Sequence, residues 1–186
     1  MNEKGKGYAL IGGSCFAIWG IYGVYRSLRW FGFDGIYLIE NIEWICDIGF
    51  ACLLFIRKKS IGFTILAGIS SVVRLFFLVV YPSIYNLGGF IAIGLFGYIC
   101  FRETAFNGAH QKQMKKITYI LPAIVLFIGK MIVWGQEGVV SISLDVEWLM
   151  NNVLIEIVEI LGILFTGMWL MENSFVIDNS NTSVKK

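Results

Sequence analysis

Six stretches of this chain are each long and apolar enough to cross a bilayer, and that succession constrains the fold more than any other feature. A membrane-crossing helix needs roughly 17–25 predominantly apolar residues. The first stretch covers residues 8–25 and closes at Arg26 and Arg29; the second covers 36–56 and stops at Arg57, Lys58 and Lys59. The third, 61–81, meets Pro82, and the fourth, 84–101, ends at Arg102. A polar segment from Glu103 to Lys116 precedes the fifth stretch, 117–134, and the sixth covers 148–171. Pro122 lies inside the fifth and is expected to kink it rather than end it, because neighbouring groups can satisfy the freed backbone. Composition points the same way. Of the 186 residues, 57% are hydrophobic and 15% charged, against about a quarter charged in a water-soluble domain. That is too little charge to cover a soluble surface.

The loop charges orient the bundle. With the N-terminus in the cytoplasm, the inner segments collect Lys4, Lys6, Arg57, Lys58, Lys59, Arg102, Lys112, Lys115, Lys116, Lys185 and Lys186. The outer loops collect only Arg26 and Arg29, and eleven against two is a strong positive-inside bias. Trp30, Trp134 and Trp148 then fall at the outer boundary, where indole rings prefer to sit. The expected fold is therefore all-α, a polytopic six-transmembrane-helix bundle with both termini cytoplasmic, in the plasma or inner membrane. Residues 1–171 form one transmembrane domain, and residues 172–186, rich in Asn and Ser, are expected to be a disordered tail. Lys4 and Lys6 ahead of an apolar run resemble a leader, but no small-residue cleavage site follows, so the first span is taken as retained.

The residues that carry chemistry are the ones that should not lie in a membrane. The second span holds Glu40, Glu43 and Asp47 at i, i+3 and i+7, and the sixth holds Asn152, Glu156 and Glu159 at i, i+4 and i+7. Each trio shares one helical face. The third span carries Arg74 and the fifth Lys130. A charge at the bilayer centre costs roughly 2.5–3.5 kcal/mol, so seven facing lipid would cost about 20 kcal/mol, more than the stability of a domain. They are expected to face the bundle interior or a water-filled cavity. Counted from the span boundaries, Glu40, Glu43, Arg74 and Lys130 fall in the outer half, and Asp47, Glu156 and Glu159 near the middle. The reading is a polar site reached from outside. Five acids against two bases leave three negative charges, so some acids hold protons or a cation occupies the site. The plainer alternative is that Arg74 and Lys130 neutralise two acids as ties between helices, with Glu40 wet at the interface.

Other features narrow the function. A net charge of +2 with no basic stripe excludes nucleic acid as a partner. Cys15, Cys46, Cys52 and Cys100 lie in apolar runs without CxxC pairing and read as small buried hydrophobes, and the single histidine, His110, lies in a polar segment. No P-loop, GxSxG or HExxH motif occurs, so an enzyme is the less favoured reading, and no cofactor or metal site is expected. Glycines at 12, 13, 20 and 23 in the first span and 88, 89, 94 and 97 in the fourth mark close helix approaches, within the bundle or between copies. Trp19, Tyr22 and Trp44 are candidates to line a site for a planar or cationic ligand.

In size, span number and cytoplasmic termini, the chain is similar to the substrate-binding subunits of energy-coupling-factor vitamin transporters. The likeness is architectural and assigns no residue a role. Two readings result. One is transport or binding of a cation, proton or small cationic solute by Glu40, Glu43, Asp47, Arg74, Lys130, Asn152, Glu156 and Glu159. The other is a non-catalytic regulatory, immunity-type or accessory subunit, with the bilayer and another membrane subunit or a second copy as its partners.

Overall fold

The computed structural model describes residues 3–30, 35–57, 60–105, 114–140 and 153–182, and every regular element among them is helical. The helices are α1 (Glu3–Trp30), α2 (Gly35–Ile56), α3 (Ile61–Val80), α4 (Ile84–Ala105), α5 (Lys116–Val140) and α6 (Ile155–Thr182). Four of them, α1, α3, α4 and α5, are long and apolar enough to cross a membrane, the pattern of a multi-pass membrane protein. The other two, α2 and α6, are those that carry the clustered acids.

Local chemistry sets the helix ends. Arg57 adopts a left-handed backbone, φ 57°, and its N–H bonds the Leu54 carbonyl at 2.9 Å, which terminates α2. Ser60 then caps α3, its Oγ accepting from the Gly62 N–H at 3.2 Å. At the far end of α3, Pro82 cannot continue the helix. Asn86 of α4 ties the corner by donating from Nδ2 to the Tyr81 carbonyl at 2.7 Å. The fifth helix runs unbroken through Pro122.

Each helix packs on its neighbours in sequence, and α6 returns to pack on α1, so the six close into a ring. Cross-helix pairs show that all neighbours run antiparallel. Thr64 meets Thr104 at 3.2 Å across α3 and α4, while Arg74 reaches Gly89 across the same pair at its other end. Gly12 lies against Thr166 and Gly162 against Phe16 across α1 and α6. An even number of alternating helices lets such a ring close without a parallel pair. Small residues permit the close approaches, as membrane bundles require where lipid leaves no hydrophobic drive for association. Gly20 faces the Trp44 carbonyl and Ile48 of α2, Gly23 takes the Trp44 ring, and Gly88 abuts Gly129 of α5. The α1 glycines thus serve packing within the bundle, and Trp44 is packed against them.

One half of the ring's interior is dry. Phe16, Phe50, Phe63, Phe96 and Trp169 are at most 1% exposed and stack with centroid separations of 5.2–6.0 Å. Leu54, Ile99, Leu126, Ile163 and Leu170 fill around them. The outer surface carries large exposed aliphatics, including Val79 at 74% and Val72 at 67%, as lipid-facing positions would.

Several boundaries differ from the sequence expectation. The first helix begins at Glu3, and α4 extends to Ala105, because a charged residue at a helix end does not interrupt the backbone ladder. The last described helix is α-helical from Ile155, and the expected start at residue 148, with Trp148 and Asn152, lies outside the described residues. It also runs past Met171 to Thr182, so residues 172–182, expected to be disordered, have a helical backbone. No Pro or Gly occurs from Met168 to Thr182 to stop it.

Candidate functional site

Arg74 organises the other half of the interior. It is 5% exposed, on the α3 face turned to α2 and α6. Its Nε donates to Glu43 of α2, and its Nη2 donates to Glu159 of α6 at 2.9 Å. Space for the guanidinium comes from Gly89 of α4, where a Cβ would stand 2.8 Å from Nη1. The second oxygen of Glu159 lies 2.9 Å from the Nζ of Lys130 on α5, which is 1% exposed. Lys130 also reaches Glu156 at 3.5 Å, and Glu156 accepts from the Trp134 indole at 3.0 Å. The result is an alternating chain from α2 through α3 and α6 to α5: Glu43, Arg74, Glu159, Lys130, Glu156 and Trp134.

Aromatic rings brace the two cations. Tyr85 of α4 has the Lys130 ammonium 5.0 Å and the Arg74 guanidinium 5.8 Å from its ring centroid, and its hydroxyl is 3.5 Å from Nζ. Trp19 of α1 lies with its ring centroid 5.3 Å from the same ammonium. Every helix therefore contributes: Trp19, Glu43, Arg74, Tyr85, Lys130 and Glu159 come from α1 to α6 in turn. Such contacts stabilise a desolvated cation by up to about 2 kcal/mol.

Asp47 stands apart. It is 5% exposed, one turn beyond Glu43 along α2 toward Phe50 of the aromatic core. It makes no ion pair among the described residues, and its Oδ2 has no hydrogen-bond partner. The indole N–H of Trp19, itself 8% exposed, is likewise buried and unpartnered. A buried carboxylate without donors or a counter-charge is costly, and native proteins rarely leave one so. Glu43, Asp47, Glu156 and Glu159 against Arg74 and Lys130 give four acids to two bases, an excess of two negative charges. Among the described residues, no three His, Cys, Asp or Glu side chains converge as a metal site.

The cluster lies toward one end of the ring. Glu43 is roughly 12 Å in from the start of α2 and Arg74 roughly 9 Å short of the end of α3. At that end the cluster meets the surroundings through Glu156, whose side chain is 19% exposed. Glu156 and Glu159 lie near the start of the described part of α6.

Of the residues singled out from sequence, Glu43, Asp47, Arg74, Lys130, Glu156 and Glu159 come together. Glu40 is half-buried at the flank, with Arg26 and Arg74 as the cations in electrostatic reach and no ion pair among the described residues. Asn152 lies outside the described residues. Sequence reasoning missed Tyr85, and it read Trp134 as a membrane-belt residue. It also placed Glu103 at the start of a polar segment, where the structure buries it to 3% exposure with the Tyr119 hydroxyl donating at 2.6 Å.

No family model, curated protein or solved structure matches this chain. The architectural likeness to energy-coupling-factor subunits therefore has no counterpart among them, and function rests on the site alone.

Proposed function

We propose that this chain is a six-span protein of the plasma or inner membrane, with both termini cytoplasmic, that binds and passes a singly charged species at its intramembrane carboxylate cluster. The species is a proton, a monovalent cation or a small organic ammonium. One observation carries this reading: three buried carboxylates, Glu43, Asp47 and Glu159, and the half-buried Glu156 share an interior with only two bases. An excess of two negative charges in a low-dielectric space favours the uptake of positive charge. The location of the cluster supports loading from one end, with the aromatic core blocking the other. Arg74 and Lys130 position the carboxylates, and the bilayer is the partner that encloses the ring.

The test is thermal unfolding of the purified full chain in detergent, with lithium, sodium, potassium and tetramethylammonium chlorides as probes at matched ionic strength. At least one probe is expected to raise the unfolding temperature, and Glu156→Gln is expected to weaken that response about tenfold in probe concentration. Equal unfolding temperatures with all four probes would remove the basis for the proposal.

The completeness of the ion-pair chain favours a second reading. Each base already holds two acids, which suits a rigid structural tie in an accessory or immunity-type subunit. A partner protein recovered at one-to-one stoichiometry, together with no response to any probe, would select it.

A further inference from the structure

Within the cluster, Asp47 differs from every other buried acid. Glu43, Glu156 and Glu159 each hold a base, whereas Asp47 makes no ion pair among the described residues and its Oδ2 is buried without a hydrogen bond. The charged and titratable groups around it are Glu43 and Cys46 on its own helix, Arg74 on α3, Lys130 on α5 and Glu159 on α6. Tyr85 of α4 reaches those two bases. The bases are committed elsewhere, with hydrogen bonds or contacts of 2.9–3.5 Å to Glu159 and Glu156. Of the other buried polar atoms without a hydrogen bond near this layer, the Trp19 indole N–H and the Ser70 hydroxyl are neutral, and Glu159 Oε2 is itself acidic. No base among the described residues is left to pair with Asp47, so a proton or an incoming cation is the fitting counter-charge.

We propose that Asp47 carries an exchangeable proton, and that a monovalent cation entering the cluster displaces it. This rests on the function proposed above and deepens it into a proton-for-cation exchange. The step balances: the O–H bond of the Asp47 carboxyl breaks, the proton leaves to water at the Glu156 end, and the cation takes its place beside the carboxylate. The charge of the interior is the same before and after, so neither state leaves the buried carboxylate bare. Asp47 also lies next to the aromatic core, which makes it the far station of the site as approached from that end.

Two readouts on one sample test this. The full chain, in weakly buffered detergent solution with a pH-indicating dye, is titrated with the four chloride probes while its thermal unfolding is followed in parallel. Stabilisation by a probe, with release of close to one proton per chain in the wild type and none in Asp47→Asn, is the expected result. Glu3→Gln, exposed at the start of α1 and remote from the cluster, is expected to release the same amount as the wild type. Stabilisation without proton release, or equal release from Asp47→Asn, would overturn the exchange and leave cation binding standing. No stabilisation by any probe would overturn the function on which the exchange rests. The wild-type titration needs no variant, so poor folding of Asp47→Asn would not spare the proposal.

Discussion

Replacing Arg74 by methionine keeps most of the side chain's length and removes a charge shared by two helices. In the wild type its guanidinium satisfies Glu43 and one oxygen of Glu159. Without it, Glu159 keeps Lys130 at 2.9 Å, but Glu43 keeps no ion pair among the described residues. Breaking a buried pair from one side costs about 3–5 kcal/mol, because the remaining charge is stranded out of water. Arg74→Met is therefore expected to destabilise the bundle by about 3–5 kcal/mol. Adding Glu43→Gln removes the stranded charge, and the double variant should recover at least half of that loss. The assay is reversible unfolding in mixed micelles of mild detergent and sodium dodecyl sulfate, run as a double-mutant cycle. A cost below about 1 kcal/mol, the usual worth of a solvent-exposed pair, would mean that these groups are not enclosed. Additive single effects would refute the pairing itself.

Further outcomes follow from other contacts. Gly167→Ala puts a methyl group onto the Tyr119 backbone carbonyl and should lower stability by about 1–3 kcal/mol, while Gly94→Ala, with open space around it, should be neutral; thermal unfolding compares them. Trp134→Phe deletes the indole donor to Glu156 and should cost about 1 kcal/mol. It should also shift the probe concentration at half-stabilisation. For the orientation, a cysteine at Arg26 should react with a membrane-impermeant maleimide on intact cells, and one at Ser60 should not. The reverse pattern would invert the topology.

How much of this was legible in the sequence depended on whether the signal was local. The helices were, and four of them are long and apolar enough to cross a membrane with their own residues. The shared faces of Glu43 with Asp47, and of Glu156 with Glu159, followed from helical periodicity. The pairing did not. Arg74 meets Glu159 85 positions away because α6 closes the ring, and nothing near either residue encodes that register. Tyr85 and Trp134 lie close to span ends, where aromatic residues are ordinary, so their part in bracing Lys130 and Glu156 left no mark. Glu103 beside Arg102 reads as the start of a loop, and only the docking of Tyr119 from α5 shows it as interior. Helix ends were misjudged where charge was mistaken for termination. Hydropathy reports where lipid stops, and hydrogen bonding continues further.

Anomalous scattering from thallium(I) soaked into crystals of the full chain probes the enclosed excess of negative charge most directly. A peak inside the helix ring, within coordination distance of Asp47 and on the Glu43 side of Phe50, is the expected result. A map with the interior empty of anomalous signal, or with these carboxylates turned outward toward lipid, would contradict it.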